Sequence, residues 1–217
     1  MSNKNSLPIR AALDWGLACI QGQESRFYET DPASYEAIVR LFHHRQQVAQ
    51  EVARVANAHF TDQTPRQHLD TACGTGIVTQ ELAQTAPDCS TFVGMDISAP
   101  SLQYAAETKD PRIQWREGSF TNLDRIEDQS VDVYTMVAAY RHIPERQRFF
   151  EEIRRVLSPR GLAIIPQCRP GDMSNRDLEE AIEISENLGL KSSVQKTNFK
   201  EVIPRLIVPR LLLLYNS

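Results

Sequence analysis

The sequence predicts an α/β protein in which a parallel sheet carries helices on both faces. From Gln67 onward, short apolar runs alternate with segments of helical periodicity. Strands separated by helices form βαβ units, whose strands must run parallel. Ahead of residue 65 the chain reads as helix alone, which divides it into an N-terminal helical region, residues 1–64, and a sheet domain, residues 65–217.

The first helix covers Ile9 to Ile20. Asp31-Pro32 supplies a helix start, with Asp as cap and Pro in the first turn. Ala37 to Phe60 contains neither Gly nor Pro, and Ile38, Val39, Leu41, Phe42, Val48, Val52 and Val55 lean toward one helical face. His68–Ala72, Thr91–Asp96, Ile113–Glu117, Val131–Val137 and Leu162–Pro166 read as strands. Ile77–Ala86, Ala99–Lys109 and Glu145–Leu157 read as helices, and Phe120–Gln129 as a loop or short helix. Asp172–Leu188 is a further helix, stopped by Gly189. Lys191–Lys196 and Arg210–Asn216 read as two last strands.

The chain has 217 residues, 24 Lys+Arg against 28 Asp+Glu and a formal net charge of -4. This length builds a core without a disulfide or metal staple. The mild acidity argues against nucleic acid as the main partner, since phosphate binding favours a basic surface. The stretch LPIRAALDWGLACI is broken by Arg10 and Asp14, and the run LIVPRLLLLY by Pro209 and Arg210, so neither reads as a signal core or a membrane span. Cys19, Cys73, Cys89 and Cys168 form no CxxC pair and match no zinc spacing, as expected of reduced cysteines in a cytoplasmic protein.

The segment Leu69-Asp70-Thr71-Ala72-Cys73-Gly74-Thr75-Gly76 follows a strand and opens a helix. Glycines there let a ligand approach the backbone at a helix N-terminus. Asp96 ends the next strand, twenty positions beyond Gly76, where a carboxylate is placed to accept from two ribose hydroxyls. The same Asp would also suit a helix cap. A third glycine, as NAD folds require, is missing: Thr79 or Ile77 stands at that position. Asp70 would repel a pyrophosphate but attract an ammonium, which favours S-adenosylmethionine (SAM) over a dinucleotide.

LDTACGTG, GMDIS, REGSF, DQSVDVYTMVAAYRHIP and RRVLSPRGLAII, in this order over residues 66–167, resemble the motifs of class I SAM-dependent methyltransferases. They are most similar to the small-molecule branch (type 11) that includes the ubiquinone/menaquinone-biosynthesis C-methyltransferases. The resemblance implies a Rossmann-like seven-stranded sheet in the order 3-2-1-4-5-7-6, with the last strand antiparallel. It implies SAM as cofactor, with Asp70, Ala72, Gly74, Thr75 and Gly76 around the methionine part, Asp96 on the ribose and Ile97 against the adenine. Gly118, Ser119 and Phe120 occupy the third motif, and Val137 belongs to the cofactor set. Ala72 stands where many relatives have Gly, and Ser119 where many have Asp.

The segment from Met136 to His142 would face the transferring methyl, which makes Tyr140, Arg141 and His142 the catalytic candidates. His142 is the first choice as general base. His43 and His44 come second, while His59 and His68 read as helix-end and strand-edge residues. Val137-Ala138-Ala139-Tyr140 is not the Asn/Asp-Pro-Pro-aromatic signature of nucleic-acid amino-methylation. Paired glutamates, a Pro-preceded Cys and a metal-binding carboxylate set are also missing, with Asp132 alone near the fourth strand. A small organic acceptor remains, with no metal, its recognition assigned to the aromatic N-terminal region that would cap the site. The alternatives are a protein- or RNA-directed enzyme and a SAM-fold protein without transferase activity.

Overall fold

The computed structural model describes residues 44–62, 64, 66–167, 173–197 and 210–216. The helix at Ile9–Ile20, the start at Asp31-Pro32, His43, Cys19 and Cys168 lie outside these residues.

In chain order the elements are α1 (His44–His59), β1 (Gln67–Thr71), α2 (Ile77–Thr85), β2 (Thr91–Asp96), α3 (Ala99–Ala105), β3 (Ile113–Glu117) and β4 (Val131–Met136). A 3-10 turn (Tyr140–His142), α4 (Arg146–Val156), β5 (Leu157–Gln167), α5 (Asn175–Asn187), β6 (Leu190–Lys196) and β7 (Arg210–Asn216) follow. They form one seven-stranded sheet in the order β3-β2-β1-β4-β5-β7-β6. β1 to β5 pair in parallel, and β7 lies antiparallel between β5 and β6. This is the order the motif resemblance implies.

The sheet separates two apolar layers. On one side α1 and α2 pack through Val48, Val52, Ala56, Leu82 and Ala83 onto Phe92, Val133, Ile164 and Leu213. On the other, Phe149, Phe150, Ile153, Leu178 and Ala181 of α4 and α5 cover Leu69, Tyr134, Ile165 and Leu212. Neighbouring strand residues alternate between the layers because strand side chains point to opposite faces. Helix α1, which precedes the sheet, is therefore itself part of this core.

Of the two readings of Phe120–Gln129 the loop is found, and three other local readings change. Helix α3 ends at Ala105, four residues short of Lys109, in two turns closed by Glu107 N to Tyr104 O and Thr108 N to Ala105 O. The segment from Phe120 to Gln129 forms turns and no helix. β5 starts at Leu157, directly where α4 ends, and its Ser158-Pro159-Arg160-Gly161 stretch is an irregularity in the pairing with β4 between Val131 and Val133. Gly161 lies so close to β4 that a Cβ there would meet the Val131 carbonyl oxygen at 2.8 Å. His68 stands in a central strand, not at an edge: it pairs with Phe92 on one side and Val133 on the other, and is 3% exposed.

Candidate active site

The loops that leave β1, β2 and β3 meet at the C-terminal edge of the sheet, beside its centre, where open α/β sheets bind ligands. After β1 the chain turns through three left-handed residues, Ala72 (φ 52), Gly74 (φ 54) and Gly76 (φ 82). The turn is closed by Gly76 N donating to the Cys73 carbonyl at 2.9 Å and anchored by Cys73 N donating to the Met95 carbonyl at 3.0 Å. Gly74 faces open space. Gly76 has a packing reason to be glycine: a Cβ there, or at Gly94, would overlap the indole of Trp115. Trp115 thus lies under the turn. Thr75 is buried in the turn and the Cys73 thiol is half-buried, its acidity weakened by burial.

Asp96 joins this turn to β2. Its Oδ2 accepts from Gly74 N at 2.7 Å, and its Oδ1 accepts from Ser98 N at 2.9 Å. A carboxylate oxygen has two acceptor directions, so each retains one for a ligand hydroxyl. Ser98, not Asp96, caps α3, accepting from Ser101 N. Ile97, next to this carboxylate, is 72% exposed. It lines an open pocket of about 400 Å³ together with Glu117, Gly118, Ser119 and Arg125. Gly118 N donates to the Asp96 carbonyl at 3.0 Å, which brings the β3 loop to the same place. Ser119 Oγ accepts from Thr121 N at 3.2 Å and shares a hydrogen bond with Thr121 Oγ1.

Asp70 is 2% exposed and lies behind the turn. Its Oδ2 accepts from Thr79 Oγ1 at 2.6 Å and its Oδ1 from Thr135 Oγ1 at 2.7 Å. Burial pushes its pKa up to about 6, against these hydroxyl contacts, which favour the anion. Both oxygens are engaged within the fold, so Asp70 holds α2 and β4 to β1.

Past β4, Val137 is half-buried and Ala138 is left-handed (φ 59). Tyr140 is 1% exposed; its hydroxyl donates to the Asp177 carbonyl at 3.4 Å, and the Arg146 guanidinium sits 5.1 Å above its ring. Burial raises the phenol above its ordinary range. Tyr140 thus faces α5, and Arg146 ties the same corner through Asp177 at 2.5 Å and through Glu180. Arg141 and His142 are exposed, and Arg141 Nε donates to His142 Nε2 at 3.1 Å. Phe120 turns edge-on to Phe149, with ring centres 5.9 Å apart, and packs on the core. Asp132 is at the opposite edge of the sheet, where its carboxylate accepts from Gln67 N and Ser158 Oγ; it is not near the transfer segment.

The structure therefore gathers Gly74, Asp96, Ile97, Gly118 and Ser119 at one opening. Asp70, Phe120 and Tyr140 are set behind it. Glu117 and Arg125 join the opening without having been singled out, although Glu117 stands inside the REGSF motif. The support from Thr79, Thr135 and Trp115 had no sequence signal, because each comes from a different element. No group of three or more potential metal ligands occurs among the described residues, and no described helix is long and apolar enough to cross a membrane.

Comparison with known proteins agrees with this geometry. Residues 69–165 match the family model of a methyltransferase domain. The chain is 30% identical over 135 residues to a 2-phytyl-1,4-naphtoquinone methyltransferase of Trichormus variabilis, a match covering 57% of this chain and 58% of the relative. It is 34% identical over 110 residues to a demethylmenaquinone methyltransferase of Thermotoga maritima, covering 49% and 45%. The chain thus spans about half the length of the curated relatives it matches. Among solved structures, a putative SAM-dependent methyltransferase of Methanococcus maripaludis superposes with a TM-score of 0.70 at 15% identity, covering 88% of this chain and 94% of that one. A TehB-like SAM-dependent methyltransferase of Corynebacterium glutamicum gives 0.60 at 19% identity, covering 76% and 87%. Residues 69–165 of this chain are thus similar to a methyltransferase domain, and the sheet has the fold of solved SAM-dependent methyltransferases.

Proposed function

We propose that the chain binds SAM along the C-terminal ends of β1, β2 and β3 and transfers its methyl group to a small organic acceptor at the end of β4. The observation that carries this reading is Asp96. Its carboxylate is fixed by two backbone donors beside the exposed Ile97, with one acceptor direction left on each oxygen. That suits a pair of ribose hydroxyls followed by an adenine ring.

Bound SAM supplies an electrophilic sulfonium methyl, so the protein's share is alignment and exclusion of water. Gly74 leaves room for the methionine part, with Ala72, Thr75 and Gly76 shaping the turn that receives it. Asp70 acts from behind: it fixes Thr79 in the first turn of α2 and directs a negative field toward the methionine ammonium. Gly118 and Ser119 offer backbone and hydroxyl groups to the adenine edge, while Phe120 and Val137 support the walls. Arg141 and His142 lie next to the acceptor, and His142 takes its proton. A neutral imidazole has one acceptor nitrogen, and Arg141 occupies it, so the acceptor must displace the Arg141 contact before His142 serves as base. The N-terminal helical region, residues 1–64, selects the acceptor. The quinone methyltransferase relatives make a hydroxylated aromatic ring the first acceptor class to assay. The scattered single cysteines support a cytoplasmic protein.

Calorimetry with SAM and S-adenosylhomocysteine tests the reading. Both should bind at micromolar level, and Asp96→Ala should weaken them at least about a hundredfold, the loss of two charge-assisted hydrogen bonds. His142→Ala should keep affinity within about twofold and slow turnover roughly a hundredfold. Absence of binding by the unmodified protein would sink the cofactor reading, and loss of binding in His142→Ala would remove that residue's catalytic role.

A further inference from the structure

The cofactor reading leaves one side of the adenine pocket without a role. Ile97 supplies an apolar surface to it, and Arg125 lines the same opening from the loop after β3. Arg125 is exposed, and among the described residues it makes no hydrogen bond or ion pair. Arg112, Arg146 and Arg155, by contrast, are all held by carboxylates.

The backbone that carries Arg125 is held firmly. Leu123 and Ile126, on either side, are 0% and 8% exposed and sink into the core under α4. Ile126 N donates to the Leu123 carbonyl at 2.7 Å, closing the turn. From α4, Arg155 donates to the carbonyls of Leu123 and Ile126, both at 3.0 Å, and to Asp128 at 2.6 Å. Its partner Glu152 accepts from Leu123 N at 2.9 Å. A surface arginine on a clamped turn, beside an open pocket and without a protein partner, is placed for a ligand.

Resting on the cofactor reading above, we propose that Arg125 is a further cofactor-binding residue: its guanidinium plane stacks on one face of the adenine, and Ile97 covers the other. The guanidinium is flat, delocalised and weakly hydrated, so it matches an aromatic ring in a half-open slot better than any other cation. Glu117 in the same opening offsets its charge, so a cation is tolerated near a positively charged cofactor. The Arg155 clamp from α4 fixes the loop that presents Arg125 to the opening.

The test is calorimetric binding of S-adenosylhomocysteine and of 5′-methylthioadenosine, which has the adenine and ribose but no amino-acid tail. Arg125→Ala should weaken both by the same factor, about 5- to 20-fold, with the melting temperature of the ligand-free protein unchanged. Arg125→Lys should recover less than half of the loss on a logarithmic scale, because charge without a plane does not stack. Unchanged affinity in Arg125→Ala overturns the proposal, as does a loss confined to S-adenosylhomocysteine or full recovery by lysine. Failure of the unmodified protein to bind either ligand overturns the cofactor reading and this proposal with it. Normal binding by the unmodified protein with no effect of Arg125→Ala overturns the Arg125 role alone.

Discussion

His68 and Asp70 stand two residues apart on β1, face the same side of the sheet and are both buried, yet their surroundings differ. Asp70, at the end near the turn, has a hydroxyl on each oxygen. His68, at the scaffold end, stacks on Phe92 at 4.5 Å between ring centres, and neither of its ring nitrogens has a hydrogen-bond partner. Burial, with help from the positive charges of Arg66 and Arg112, lowers its pKa to about 3. Next to the candidate site the fold satisfies a buried charge; inside the scaffold it keeps a neutral ring and leaves its polar atoms unused.

The largest expected break of this contrast is Asp70→Ala. It strands the hydroxyls of Thr79 and Thr135 and opens a small cavity, at a cost of about 4 kcal/mol in denaturant unfolding. A loss below about 1 kcal/mol would show that the hydroxyls find other partners. Next is Gly94→Ala, whose residue pairs with Asp70 in the register of β1 and β2. Its methyl displaces the Trp115 indole, and the expected destabilisation is about 3 kcal/mol. An unchanged melting temperature would mean that the indole moves freely.

The two ionisable groups also carry opposite pH signatures. Between its unfolded value of about 6.5 and its folded value, His68 binds more proton in the unfolded chain, so its share of stability is lost as pH falls from about 6.5 toward 3. Asp70, raised to about 6 against about 3.9 when unfolded, binds more proton in the folded protein, so its share grows as pH falls through that interval. Between about pH 7 and 5 the two largely cancel. His68→Leu removes the first, so unfolding free energy should rise on acidification relative to the unmodified protein by about 2 kcal/mol over that interval. Parallel curves would refute the assignment. Smallest is Ala72→Gly, which relieves a left-handed alanine and should add about 1 kcal/mol to stability with unchanged affinity for S-adenosylhomocysteine.

The same contrast separates what the sequence makes readable from what it does not. The strands from Thr91, Ile113 and Val131 carry their period and punctuation locally, and their starts agree with the structure. The glycine turn and Asp96 are readable because one strand–turn–helix unit and the end of the next strand hold them. The start of β5 was not readable, since Ser158-Pro159-Arg160-Gly161 has turn chemistry and enters the sheet only through a shifted pairing with β4. The burial of Tyr140 and the partners of Asp70 depend on α5, α2 and β4 arriving from elsewhere in the chain. Arg125 joins the pocket only because Arg155, thirty residues later, pins its loop.

The placement of Trp115 has an experimental consequence. The chain has two tryptophans, and this one touches the glycine turn at Gly76, two residues from Gly74, which faces open space. Its emission is therefore an optical gauge built into the sheet. Replacing the other, Trp15, with phenylalanine would leave a single fluorophore whose intensity follows the arrival and departure of a nucleoside in real time, without any attached dye.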